Sequence, residues 1–172
     1  MCKNSTISDS NIPIEETVVR LLTENGLRVA MAESCTGGLT AQKITSVSGA
    51  SECFDCGVVT YSNGMKHKLL GVSTSTLEKF GAVSDETALE MCKGVCLLAG
   101  ADFGIGITGI AGPGGGTKEK PVGLVHIGIY GQGIHCSHGY LFSGNRSEVR
   151  EKSANCALEL VRRAVLGIDL EQ

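Results

Sequence analysis

The chain has 172 residues, 42% hydrophobic and 19% charged, a globular balance with enough length for a well-buried core. A net charge of −3 with no basic run argues against a nucleic-acid surface, and no apolar stretch approaches the roughly 18 residues of a membrane span. Eight cysteines, with no apolar signal segment at the polar N-terminus, read as reduced thiols packed as small hydrophobes in a cytoplasmic protein.

Residues 1–13 read as a flexible tail, and residues 14–172 as a single domain with no internal repeat or linker. From Ile14 to Glu24 the apolar residues Ile14, Val18, Leu21 and Leu22 fall at helical spacing, and Asn25 and Gly26 supply a stop. Leu27 to Ala32 reads as a short buried strand. Ser34 follows as a natural N-cap for a helix through Leu39, Ala41, Ile44 and Val47. A second strand is expected over Gly57–Tyr61, with Asn63 capping a helix that carries Lys66 to Leu70 and ends at Gly71. Ser84, Asp85 and Glu86 open a helix with a stripe of Ala88, Leu89, Cys92, Val95 and Cys96, stopping at Gly100.

Phe103 to Thr108 forms a strand that empties into GIAGPGGGTKEKP, a loop rich in glycine and proline. Val122–Tyr130 and Ile134–Phe142 flank GQG, the signature of a β-hairpin. A long helix from about Asn145 to Leu166 closes the chain, with Gly167 as its stop. Five strands among four or five helices predict an α/β fold: a three-layer α/β/α sandwich around a mixed, mostly parallel sheet of about five strands.

Ser34, in AESCTGG, has two readings. It either caps its helix, or it is a nucleophile whose tetrahedral oxyanion is held by the unpaired amides of Cys35, Thr36 and Gly37. Gly37 and Gly38 favour the second, since glycine in a first helical turn is costly and marks a need for backbone access. Cys35 is a rival nucleophile but has no neighbouring histidine. No GxSxG elbow surrounds Ser34 and no lysine follows three residues later, so its base must come from elsewhere. In TYSNGMK, Tyr61 ends a strand and Lys66 lies early in the next helix, so both face Ser34 if the strands adjoin. Taken alone, Lys66 is more often a solvated helix residue and Tyr61 more often a strand-end amphiphile; only their conjunction with Ser34 makes the case.

GIGITG matches GxGxxG, but its first two glycines fall in a strand and no helix follows, which argues against a dinucleotide site. The glycine loop lacks the GK[ST] ending of a phosphate-binding P-loop, yet its amides suit an anion. Cys53 and Cys56 form a lone CxxC, while alternation sets His135 on the face opposite Cys136 and His138, so a metal site is not expected. Arg146, at a helix start where a cation is unfavourable, reads either as an anion-binding group or as a surface arginine.

Taken together, AESCTGG at 32–38, VTYSNGMK at 59–66, GAVS at 81–84, ITGIAGPGGGTKEKPVG at 107–123 and FSGNR at 142–146 resemble the CinA C-terminal domain family, over roughly Ile14 to Leu166. Some members of that family join this domain to an N-terminal molybdopterin-binding-like domain. The resemblance, closest to the stand-alone nicotinamide-nucleotide amidase type, implies an α/β/α fold and hydrolysis of nicotinamide mononucleotide to nicotinate mononucleotide and ammonia, a pyridine-nucleotide salvage step. It implies no cofactor and no metal. By motif position it implies Ser34 as nucleophile, Lys66 as base and Tyr61 as a hydrogen-bonding relay. Cys35, Thr36, Gly37 and Gly38 would serve the oxyanion, and Thr108, Gly109 and Arg146 the phosphoribosyl group. Gly64 and Met65 stand where the family often has Glu-Ala, and Asn145 where Asp is common. A non-catalytic nucleotide-binding module and an amidase for another small carboxamide are the competing readings. Exposed edges of a small mixed sheet make a homodimer the expected assembly.

Overall fold

A computed structural model describes residues 12–170. The expected tail therefore lies outside the described residues except at Ile12 and Pro13, which lead directly into the first helix. The elements in chain order are α1 (Ile14–Glu24), β1 (Val29–Glu33), α2 (Leu39–Thr45), a short 3-10 turn (Ala50–Glu52), β2 (Phe54–Val59), α3 (Asn63–Leu70), α4 (Thr74–Phe80), α5 (Asp85–Ala99), β3 (Phe103–Gly109), β4 (Leu124–Gly131), β5 (Ile134–Leu141) and α6 (Arg146–Leu166). The sheet order is β2-β1-β3-β4-β5. β1 pairs in parallel with β2 and β3, while β3–β4 and β4–β5 are antiparallel, so β4 alone runs against the other four strands. Among the described residues no helix is long and apolar enough to cross a membrane.

The two faces of the sheet differ in the size of their side chains, and that difference sets the layer spacing. One face carries Val29 and Met31 of β1, Ile105 and Ile107 of β3, and Val125, Ile127 and Ile129 of β4, all buried beneath α1 and α6. Strand alternation puts Ala30, Ala32, Gly104, Gly106 and Gly128 on the other. There α5 lies almost against the strands: a Cβ at Gly104 would come within 2.1 Å of Cys92 O, and one at Gly106 within 2.6 Å of Ala88 O. The glycines of GIGITG are thus packing residues. The same helix seats α3, since a Cβ on Gly94 would fall 2.0 Å from Leu70 O.

Several boundaries differ from the expected ones for local reasons. β1 begins at Val29, because Leu27 is still bonded into the turn that closes α1, through its N–H to Leu22 O. β2 spans Phe54–Val59 instead of Gly57–Tyr61, leaving Tyr61 beyond the strand end. The cap of α3 is Ser62, whose Oγ accepts from Met65 N, and Asn63 is already helical. The unanticipated α4 has no buried residue and so shows no apolar stripe. The hairpin turn at Gln132 and Gly133 has positive φ at both positions, the type I′ pattern. Asn145 and Glu148 close a reciprocal capping box on α6.

These contacts predict opposite outcomes for two glycines near Lys66. Gly94→Ala should lower stability by about 1–3 kcal/mol, the range for overpacking, because backbone stands in the way. Gly64→Ala, in the open first turn of α3 with nothing within 4 Å, should raise it by up to about 1 kcal/mol. Urea unfolding of both variants checks the pair.

Candidate active site

The parallel strands all end on one side of the sheet, where open α/β folds place their ligands. Ser34 sits there because its N–H continues the ladder, donating to Ile107 O at 2.9 Å, one step past the end of β1. The expectation that Ser34 caps the next helix is overturned. Residues 34–37 form a turn, Gly38 is the N-cap of α2 in the left-handed region, and the capping is done by Glu33. The Glu33 carboxylate is wholly buried. It accepts from Gly38 N (3.0 Å) and Thr40 N (3.1 Å) through Oε2 and from Ala41 N (2.8 Å) through Oε1. An anion that takes up three helix N-terminal amides compensates both its own burial and the helix dipole. Ser34 is thereby released from capping.

Lys66 is the largest side chain buried below 2% exposure, itself 1% exposed. Its Nζ lies 3.0 Å from Ser34 Oγ and donates to Thr60 O at 2.8 Å. Among the described residues no carboxylate pairs with it. Burial pushes its pKa below the ordinary lysine value, opposed by a smaller influence from the Cys35 thiol. Cys35 also lines the cleft, and burial raises its thiol to about 11, so it is the poorer nucleophile at neutral pH.

The cleft around this pair has a volume of about 290 Å³. Its walls come from the ends of three strands and the loops beyond them: Ser34 and Cys35, Tyr61 and Lys66, Ala82 and Val83, Thr108 to Gly112 with Gly114 and Gly115, and Arg146. A larger surface groove of about 580 Å³ between α1 and the 46–49 turn, flanked by Glu15, Glu16 and Glu52, holds no nucleophile beside a base.

The other sequence-derived candidates separate by position. Tyr61 is 66% exposed, and its hydroxyl accepts from Arg146 Nη2 at 3.4 Å, so the two form the outer rim rather than a relay to Ser34. Arg146 also donates to Gly112 O at 2.8 Å. Thr108 lines the cleft but spends its hydroxyl on Ala82 O at 2.6 Å. Gly109 is required by the strands, since a Cβ there would meet Leu124 O at 2.7 Å. Gly37 and Gly38 have positive φ, which explains both without ligand access; the amide of Gly37 is held by Ser34 O and that of Gly38 by Glu33. Thr36 is fully buried. Cys35 N and Thr36 N are the two amides of this turn that no backbone carbonyl or carboxylate engages among the described residues; both face the Cys35 thiol.

Sequence reasoning missed three groups. Glu33 is one. Arg150 of α6 is another: it donates through Nε (3.1 Å) and Nη2 (2.7 Å) to Thr36 O, clamping the serine turn from 114 residues away. Lys120 is the third, bonded to Phe80 O and Val83 O at the cleft wall. Only a search for charged residues that the fold must bury beside the motif would have pointed to Glu33, and nothing local marks Arg150.

This fold and site define an α/β/α domain with a buried serine–lysine pair at the carboxyl ends of its parallel strands. Residues 11–165 match the family model described as the CinA C-terminal domain, and the chain belongs to that family. A CinA-like protein of Kosmotoga olearia is 53% identical over 155 residues, covering 90% of this chain and 38% of that protein; this chain thus spans well under half of that relative's length. Among solved structures, competence/damage inducible protein CihA from Agrobacterium tumefaciens is 44% identical with a TM-score of 0.85, covering 89% of this chain and 95% of that one. A CinA superfamily protein from Klebsiella pneumoniae is 33% identical with a TM-score of 0.86, covering 90% and 96%.

Two outcomes follow for the site. Replacing Glu33 with Gln turns one of its acceptor atoms into a donor facing amide donors, and should cost about 1–3 kcal/mol in urea unfolding. Cys35 should alkylate at pH 8 on the order of 100-fold more slowly than an unperturbed thiol, in proportion to its small thiolate fraction, as peptide-mapped iodoacetamide kinetics would measure.

Proposed function

We propose that this domain is an amidohydrolase that converts nicotinamide mononucleotide to nicotinate mononucleotide and ammonia, with Ser34 as nucleophile and Lys66 as its base. The observation that carries the reading is the 3.0 Å approach of Lys66 Nζ to Ser34 Oγ in a site where Lys66 is 1% exposed. A lysine on a surface helix has no reason to be there. A lysine that must take a proton from serine near neutral pH does, because desolvation favours the neutral amine.

In this reading Ser34 Oγ attacks the carboxamide carbon as its proton passes to Lys66 Nζ. The bond to Thr60 O orients the amine, and the amides of Cys35 and Thr36 receive the oxyanion. Collapse of the tetrahedral adduct breaks the C–N bond, and Lys66 returns the proton to the departing nitrogen, releasing ammonia and leaving an acyl-serine. Water, deprotonated by the neutral amine, then cleaves that ester to nicotinate mononucleotide and restores Ser34. The cleft volume of about 290 Å³ suits a mononucleotide-sized ligand, and the Arg146 guanidinium at the rim supplies positive charge for its phosphate.

The test is ammonia release from nicotinamide mononucleotide, with nicotinamide and a simple carboxamide in parallel. Ser34→Ala and Lys66→Ala should each lower kcat/KM at least about 1,000-fold, and Lys66→Arg should fail equally because arginine stays protonated. Turnover that survives Ser34→Ala sinks the mechanism; nucleotide binding with no turnover by the wild type supports a regulatory module instead.

The lowered pKa of Lys66 fixes the sign of two pH effects. The rate should rise with pH through a value below the ordinary lysine range, as the base loses its proton. The folded state also binds fewer protons than the unfolded state between Lys66's folded value and about 10.4, so stability rises with pH across that window. Urea unfolding of wild type and Lys66→Met over pH 6–10 should show this slope in the wild type and its loss in the variant.

A further inference from the structure

The loop at 112–120 and the segment Phe80–Val83 form two walls of the cleft, and one side chain joins them. Lys120 Nζ donates to Phe80 O at 2.6 Å and to Val83 O at 2.7 Å, reaching back 40 and 37 residues. Between these, Gly81 O accepts from Thr87 Oγ1 (2.8 Å) and Ser84 Oγ (3.1 Å), and Ala82 O accepts from Thr108 Oγ1 (2.6 Å). Four consecutive carbonyls are thus each held by a side chain, leaving Ala82 and Val83 fixed where they line the same cavity as Lys66. At its start the loop is also held by Arg146, which donates to Gly112 O at 2.8 Å, but beyond that residue little else holds it. Residues 113–119 are exposed and include three glycines. Within it, Thr117 N donates to Lys120 O (2.8 Å) and Lys120 N to Thr117 Oγ1 (3.0 Å). Among the described residues, the hydrogen bonds that leave 113–120 for the Phe80–Val83 wall are the two from Lys120.

We propose that Lys120 is a positioning residue that sets the width of the substrate cleft by tying the glycine loop to the Phe80–Val83 wall. It touches neither Ser34 nor Lys66. Ser34 is fixed by the β1–β3 ladder and Arg150's hold on its turn, and Lys66 by its own helix, so neither depends on this clasp. Loss of the clasp therefore loosens ligand binding without disturbing the nucleophile and its base. The division predicts a kinetic signature that a simple loss of stability would not give.

The kinetic part rests on the amidase reading; the exchange part does not. Lys120→Met and Lys120→Arg are compared with wild type for ammonia release from nicotinamide mononucleotide and for amide hydrogen exchange. Lys120→Met should raise KM at least tenfold with kcat within threefold. Lys120→Arg, which keeps two donors, should recover most of the loss. Exchange in Lys120→Met should accelerate at residues 80–84 and 114–120, and stay unchanged at 29–34 and 63–70. Unchanged exchange in both walls overturns the proposal. So does acceleration across the whole chain, or local acceleration with KM unmoved in an active enzyme. If wild type releases no ammonia, the amidase reading fails, and the exchange pattern alone decides for or against the clasp.

Discussion

The structure turns on the burial of one amine without a counter-charge. An isolated ammonium in a protein interior is among the costliest groups a fold can hold, and the usual relief is an adjacent carboxylate or loss of the proton. The fold provides no carboxylate for Lys66 among the described residues and gives it only two oxygens, one a serine hydroxyl and one a backbone carbonyl. Burial accordingly pushes its pKa below the ordinary lysine value. The cost is offset by the cores on both sides of the sheet, and by the close contact of Gly94 with the end of α3, which leaves that helix little room to withdraw its lysine toward water.

The contrast between the two sheet faces explains how the rest of the cleft assembles. Large aliphatic residues on one face hold α1 and α6 at ordinary distance, while alanines and glycines on the other let α5 settle against the strands. Because α5 lies so close, the segment that leads into it arrives beside the carboxyl ends of β1 and β3. The arginine clamp on Thr36 comes from the opposite layer. The serine turn at 34–37 is therefore held by a guanidinium from the last helix, and the Glu33 carboxylate on the same face fixes the start of α2 just beyond it.

Much of this was legible in the sequence, where local signals and tertiary demands agree. The apolar spacing of α1, the Ser84 cap of α5, the GQG hairpin and the Gly167 stop all read correctly because each element's own residues decide it. Ser34, Tyr61 and Lys66 were read as a conjunction across distant motifs and Arg146 separately as an anion-binding candidate, and all four line the cleft. Ser34 was misread as a cap because a serine before a helix ordinarily is one; the competing carboxylate of Glu33 lies one residue back, where capping rules do not look. Gly37 and Gly38 were read as ligand access because sequence does not report φ. Arg150 and Lys120 act through backbone carbonyls more than thirty residues away, which no local pattern encodes.

Glu33 and Ser34 are consecutive, and a strand sends consecutive side chains to opposite faces. The acid goes to the α2 side and the hydroxyl to the side of α3, so two duties that would conflict in one residue are separated by half a pleat. The arrangement makes the spacing between β1 and its turn indivisible. Inserting or deleting one residue between Val29 and Glu33 would exchange the two faces, aiming the carboxylate at Lys66 and burying the hydroxyl beneath α2. That would set an ordinary buried ion pair where the fold now leaves the amine without a counter-charge. The exposed tip of the glycine loop carries no such constraint, whereas the reading frame of a five-residue strand decides which side chain meets Lys66.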